Sequence, residues 1–225
     1  MTPTRAIELR HAVREYKRTP IDPEALKTLQ DKISNINYET GMHFQLITDE
    51  PKAFGGIRGK AFGFKGVRNY IAVVTPKGEK YEEMAGYYGE QVVLLAQQLG
   101  LNTCWVYATA KRLKKTVKVD KGEKYQILIA IGYGKTQGEP HVSKEFNELS
   151  ATPKESAPVW YKEGVRYAHL APTAMNQQKF QFELVGPETV KASITGTSIC
   201  TRMDLGIVKL HFEIGAGKDK FHWAD

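Results

Sequence analysis

Residues 82–99 constrain the fold more than any other stretch. The segment reads as one long helix, closed by Gly100 as a C-terminal cap, and its middle, Gln91-Val92-Val93-Leu94-Leu95-Ala96, is apolar nearly all round. A helix without a polar face is buried on most sides or sits between two halves of a structure. The chain around it can supply that enclosure. It has 225 residues, 41% of them hydrophobic, enough for one or two domains of ordinary size.

Helix and strand signals alternate on both sides of this segment. Thr2-Pro3 marks a helix start, with Pro at the first helical position. Asp22-Pro23 marks another: Asp22 is placed to cap the helix, and Ile21 and Leu26 to staple it. Leu26, Leu29 and Ile33 then share the core-facing side. Strands are predicted at residues 43–48, 70–75, 102–107 and 125–132. Residues 136–158 are polar and read as a linker. A second set follows: helix near 159–170, strand 180–185, helices near 188–205, strand 208–215. The two sets share short likenesses, residues 43–47 with 181–185 and Leu99-Gly100-Leu101 with Leu205-Gly206-Ile207. An internal repeat and a chance match of amphipathic pieces both explain them.

Composition removes several classes. No apolar run is long enough to span a bilayer, and the charged N-terminus lacks the apolar core of a secretory signal. Two distant cysteines, Cys104 and Cys200, make a disulfide framework improbable and a reducing cytoplasm the default. A net charge of +7 favours anionic ligands without selecting one. Glycine-rich stretches fail the phosphate-loop spacing at Phe54, Ala61 and Ile129, and Gly138 comes one residue late for a dinucleotide fingerprint. No histidine or cysteine spacing suits a metal, so no metal site is expected. His211 and Glu213 read as a surface pair on one face of a strand, and Cys104 as an inert core thiol. The basic run 111–124, with Lys114, Lys115, Lys118, Lys121 and Lys124, reads as a solvated loop. No aromatic residue interleaves to stack nucleic-acid bases.

Two segments carry more. Arg10-His11-Ala12-Val13-Arg14-Glu15-Tyr16 gathers three nitrogen-bearing side chains at a helix end. A helix C-terminus repels anions, so a phosphate there must be held by side chains, for which the guanidinium fork is suited. The plain alternative is a solvated basic helix end. Residues 171–182, APTAMNQQKFQF, offer Thr173, Asn176 and Gln178 in a tight loop after Pro172 and before a strand. Such amides and hydroxyls match a flavin's polyol and pyrimidine edge, although an ordinary polar turn has the same make-up.

These segments resemble motifs of the nitroreductase-like family of FMN-dependent oxidoreductases. The family's R-[RH]-S-x-[RK]-x-[FY] matches residues 10–16, and A-P-S-x-x-N-x-Q-P-W-x-F matches 171–182. L-G-L-x-T-x-W matches 99–105, and an apolar residue before Gly-Tyr matches 131–133. The resemblance covers most of the chain. It implies an α+β nitroreductase-like fold, with mixed, mostly antiparallel sheets flanked by helices. In family homodimers the flavin lies between subunits, with the phosphate motif from one and the Pro-Ser-Asn loop from the other. Here the loop's usual place, residues 34–40, has lost the pattern, and the loop stands in the second half. The order resembles a fused pseudo-dimer with two related halves, 1–150 and 151–225, imitating the family homodimer around a single FMN.

Carried over, the resemblance assigns the FMN phosphate to Arg10, His11 and Arg14. The ring and ribityl chain fall to Pro172, Thr173, Ala174 and Asn176. The backbone of Trp105, Val106, Tyr107 and Ala108 runs past the reactive edge, and Gly132, Lys135 and Lys144 complete the phosphate end. Ala12 replaces the family's Ser and removes one phosphate donor. Lys179 and Phe180 replace its Pro and Trp. The implied activity is ping-pong hydride transfer from NAD(P)H through FMN to a nitroaromatic, quinone or similar small acceptor. No catalytic side chain is needed, nor a nucleic-acid or membrane partner, and the chain is expected as a monomer. The alternatives are a flavin-binding protein for storage or sensing, and a basic nucleic-acid-binding protein.

Overall fold

The computed structural model describes residues 1–113 and 115–224, with Arg58 described by its backbone only. Two compact units emerge. A four-stranded unit comprises residues 9–81 and 92–140, and a three-stranded unit comprises residues 1–8, 82–91 and those from 141 onward. The boundary expected at residue 150 thus falls near 140, and two segments from the front of the chain join the rear. The packing of glycines and buried polar groups described below accounts for that membership.

The four-stranded unit contains β1 (Gln45–Ile47), β2 (Asn69–Pro76), β3 (Asn102–Val106) and β4 (Glu123–Gly132), in the order β1-β2-β4-β3 and antiparallel throughout. Central β2 and β4 are buried along nearly their whole length, as unbroken apolar runs require. Helix α2 (Pro23–Thr40) starts as its sequence dictates. One Asp22 side-chain oxygen accepts the Glu24 and Ala25 amides at 2.9 and 3.1 Å, and left-handed Gly41 closes the helix. Its buried stripe is Ala25, Leu29, Ile33 and Ile36, a slight rotation from the expected one, with Leu26 half-buried.

The three-stranded unit contains most of α1 (Pro3–Leu9), then α5 (Phe146–Leu149), α6 (Val159–Ala168), β5 (Phe180–Gly186), β6 (Thr189–Ile194), α7 (Thr201–Ala216) and β7 (His222–Trp223). β5 pairs antiparallel with β6, and β6 parallel with β7. Two sequence expectations fail here. Of residues 188–205, expected as helices, only 201–205 are helical, as the start of α7; β-branched Thr189, Val190 and Ile194 lie on a strand after a bulged turn. Residues 208–215 are not a strand but the interior of α7. A continuous apolar run cannot set the period by itself, and α7 is buried on almost every side.

After the short α3 (Ile57–Ala61), the long helix α4 (Glu79–Gln98) behaves as its composition demands: none of residues 81–99 is exposed. In the three-stranded unit its middle meets α7 at backbone distance. A Cβ on Gly86 would collide with the Met203 carbonyl, and one on Gly206 with the Glu83 carbonyl. Gly206 therefore sits mid-helix, where bare backbone is required. It is no counterpart of Gly100, which ends α4 at φ +78°. That half of the expected repeat disappears. The likeness of 43–47 to 181–185 stands only as strand beside strand.

Candidate functional site

Residues 10–16 leave α1 as extended chain and are threaded between three neighbours of the four-stranded unit. The Val13 amide donates to Thr103 O on β3 at 3.0 Å. Tyr16 N donates to Lys65 O at 2.9 Å, and Lys17 N to Tyr133 O at 2.8 Å. The stretch 132–138 lies close against this segment. A Cβ on Gly134 would strike Asn102 and Val13, and one on Gly138 the His11 and Ala12 atoms. The glycines that fail as a dinucleotide fingerprint thus serve a close backbone approach.

The cations gather here. Arg10 is buried, His11 half-buried and Arg14 exposed, with the Arg14 guanidinium 5.9 Å from the Phe64 ring centre. Both guanidiniums act on Cys104 of β3: burial pushes its thiol up, and Arg14 and Arg10 pull the other way. Cys104 is the buried thiol its neighbours implied. Burial and the Arg10 charge hold His11 below its usual range, so near neutral pH it offers one ring N–H. The one carboxylate in the motif, Glu15, is engaged by Lys65 at 2.7 Å and Lys135 at 3.8 Å. Among the described residues Arg14 meets no carboxylate. The donor set fits a dianionic phosphate: two guanidiniums, an imidazole, and the local acid neutralised.

The four-stranded unit therefore brings together Arg10, His11, Arg14, Gly132 and Lys135 with β3, which carries Trp105 and Val106 and runs out into exposed Tyr107 and Ala108. A cleft of about 470 Å³ in the same unit is lined by Arg18, Lys60, Lys65 and Arg68 over Phe54 and Phe64. Of the basic run 111–124, Lys114 lies outside the described residues. Arg112 is spent on the Gln126 carbonyl at 3.0 Å and on two tyrosine rings, and Lys118 pairs with Asp120.

The second set lies in the three-stranded unit. Pro172, Thr173 and Ala174 are half-buried, Met175 is 95% exposed, and residues 174–176 form a single 3-10 turn. The Asn176 amide is committed, donating to Val142 O at 2.7 Å and accepting from Gln178 Nε2 at 2.9 Å. Thr173 Oγ1 accepts the Gln178 amide at 3.1 Å and keeps its own proton to donate. Lys144 bonds to this loop: its Nζ donates to Gln178 O at 3.1 Å.

Other expectations change. His211 and Glu213 are not a surface pair on a strand; both are buried on α7. His211 Nε2 lies 3.0 Å from Glu90, and Glu213 accepts from Tyr87 at 2.6 Å and Trp223 at 2.8 Å. His43, Asp120 and Glu123 bring their ligating atoms within 4.8 Å, a grouping that sequence spacing hides because it joins β1's entry to β4's start. Sequence reading also missed Asp204 and Gln177, which hold the 172–178 loop. Asp204 lies in an apolar helical run and carries no local signal.

The family model described as "Putative TM nitroreductase" matches residues 3–216. The chain belongs to this nitroreductase family. No curated protein matches it. Among solved structures it is similar to a putative nitroreductase from Thermotoga maritima, at 19% identity and TM-score 0.69 over 97% of this chain and 85% of that one. It is also similar to a putative nitroreductase in complex with FMN from Desulfovibrio desulfuricans, at 21% identity and TM-score 0.53 over 68% of this chain and 98% of that one. A nitroreductase family protein from Streptococcus pneumoniae matches at 13% identity and TM-score 0.51, over 66% and 98%. At these identities the likeness is one of fold, and the α+β architecture with mostly antiparallel sheets is the nitroreductase fold. Among the described residues no helix is long and apolar enough to cross a membrane.

Proposed function

We propose that this nitroreductase-family chain binds one FMN and passes hydride from a reduced nicotinamide nucleotide to a small electrophilic acceptor, a nitroaromatic or a quinone. One observation carries the reading. Arg10, His11 and Arg14 converge beside β3 while Lys65 and Lys135 neutralise the only acid of the motif. Family membership supports it, as does the FMN bound by the Desulfovibrio relative.

In this reading Arg10, Arg14 and the His11 N–H hold the phosphate, each charge-assisted hydrogen bond contributing about 1.5–3 kcal/mol. Gly132 lets the chain pass tightly beside Tyr16, and Lys135 holds Glu15 off the anion. The strand end at Trp105, Val106, Tyr107 and Ala108 presents backbone donors toward the ring edge. Pro172, Thr173, Ala174 and Asn176 belong to the same flavin by resemblance, Thr173 through its free hydroxyl proton. The cofactor supplies the redox chemistry, and the chain supplies orientation and positive charge. Arg18 and Lys60 in the 470 Å³ cleft suit the phosphates of the nicotinamide donor.

The test is an absorbance spectrum of the purified protein, followed by NAD(P)H oxidation with menadione or nitrofurazone. A yellow protein that oxidises NAD(P)H only when an acceptor is present supports the proposal. A colourless protein that takes up no added FMN ends it. A flavoprotein without turnover reduces the function to storage or sensing.

A further inference from the structure

The loop at residues 173–178 is held in a shape its own backbone disfavours. Met175 sits at φ 53° and ψ 25°, Asn176 at φ 53° and Gln178 at φ 45°. All three are side-chain-bearing residues in the left-handed region, where Cβ crowds the following carbonyl. Residues 174–176 bury no side chain in return. Of the three left-handed residues only Gln178 is buried, so packing does not account for the exposed tip at Met175 and Asn176.

The Asn176 and Gln178 side chains tie the loop's far end to Val142 O, and a buried carboxylate holds its near end. Asp204 is 5% exposed, in the first turn of α7. Its two oxygens accept the Ala174 amide at 3.0 and 3.1 Å, and Oδ2 also accepts Gln177 Nε2 at 2.9 Å. Gln177 Nε2 donates further to Ile199 O at 2.9 Å, tying the loop to the chain just ahead of α7. The platform is rigid, since bare backbone at Gly86 and Gly206 fixes α7 against the middle of α4. An ionised carboxylate removed from water is unfavourable. Burial raises the Asp204 carboxyl to about 6, against the opposing hydrogen bonds from Gln177 and Ala174.

A buried acid thus helps fix a loop that carries three left-handed residues and an exposed tip. Strain of this kind, over-determined by its surroundings, is characteristic of ligand clamps and preformed sites. We infer that Asp204 is a positioning residue, which presets residues 173–178 for ligand binding at the expense of fold stability. That the ligand is FMN rests on the function proposed above.

Asp204→Asn and the milder Gln177→Ala test this. Asn keeps the shape and one acceptor but lacks the charge that collects three hydrogen bonds. Three quantities are measured on the full-length protein near pH 7.5: amide hydrogen exchange at residues 173–178, Tm, and the Kd for added FMN. The expected result for D204N is exchange at Ala174 faster by about tenfold or more, FMN binding weaker by a similar factor, and Tm unchanged or higher. Gln177→Ala should show smaller changes of the same sign. An ordinary structural role predicts a lowered Tm with loop exchange and FMN affinity unaltered, and that outcome overturns the inference. So does unchanged exchange at Ala174 in both variants. If wild-type protein takes up no FMN, the proposed function falls, while exchange and Tm still decide whether Asp204 presets the loop.

Discussion

Arg14 offers a clean test of the phosphate assignment because it is exposed, with its guanidinium over the face of Phe64. Arg14→Ala should leave Tm within about 1 °C, as surface changes away from packed features do. It should weaken FMN binding about 10- to 100-fold, the loss of one charge-assisted hydrogen bond. Fluorescence titration with FMN measures it, and an unaltered Kd shows that the phosphate lies elsewhere. Arg10 is less clean, since its removal also empties a buried position. Asp204 gives a pH prediction. Its carboxyl is raised from an ordinary 3.8 to about 6, so between those values the native state holds a proton that the unfolded chain has released. The stabilisation is complete below pH 4 and is lost as pH rises through 6. It amounts to something on the order of 3 kcal/mol. Thermal melts at pH 5 and 7.5 should differ less in D204N than in wild type. An equal difference shows that the carboxyl titrates normally.

Elements were readable where a local signal set them. Asp22 and Pro23 determine the start of α2 by capping chemistry alone, and the burial of α4 follows from a helix with no polar face. α7 was not readable. Val208, Leu210, His211 and Phe212 alternate plausibly as a strand, and only the α4 contact makes that stretch helical. The same contact explains the buried polar groups. His211 sits between two oxygens, Tyr167 O at 3.2 Å from Nδ1 and Glu90 Oε1 at 3.0 Å from Nε2. A carbonyl only accepts, so Nδ1 donates to Tyr167 O while Nε2 faces the Glu90 carboxyl. His211→Leu should destabilise by about 3–5 kcal/mol in chemical denaturation, because Glu90 stays buried beside an apolar group. Adding Glu90→Leu should restore part of the loss. Additive losses would show that the two groups are uncoupled. Gly206→Ala puts a methyl into the Glu83 carbonyl and should lose about 3 kcal/mol or more, detected in the same measurement.

For the whole molecule the decisive property is stoichiometry. A solved nitroreductase from Desulfovibrio desulfuricans is covered over 98% of its length by only 68% of this chain, which leaves about a third unmatched. The Thermotoga maritima structure, by contrast, takes in 97% of this chain. The fused pseudo-dimer is the arrangement we propose for this chain, with the second part keeping what one flavin needs. The site residues divide the same way: the phosphate motif lies in the four-stranded unit and the Pro-Thr-Ala-Met-Asn loop in the three-stranded one. Both proposed sets were visible as sequence motifs, since each is a run of neighbouring residues. Asp204 and Gln177 stayed hidden because the hydrogen bond that matters closes only when α7 folds beneath the loop. Only one phosphate motif and one loop occur in the sequence, so a single chain should suffice for one flavin. Sedimentation equilibrium of the FMN-loaded protein should give a species near 25.3 kDa with one FMN per chain. Binding of FMN should not depend on protein concentration across a hundredfold range. A dimer that dissociates together with its flavin would place the missing contacts on a second chain, and the fused arrangement would be abandoned.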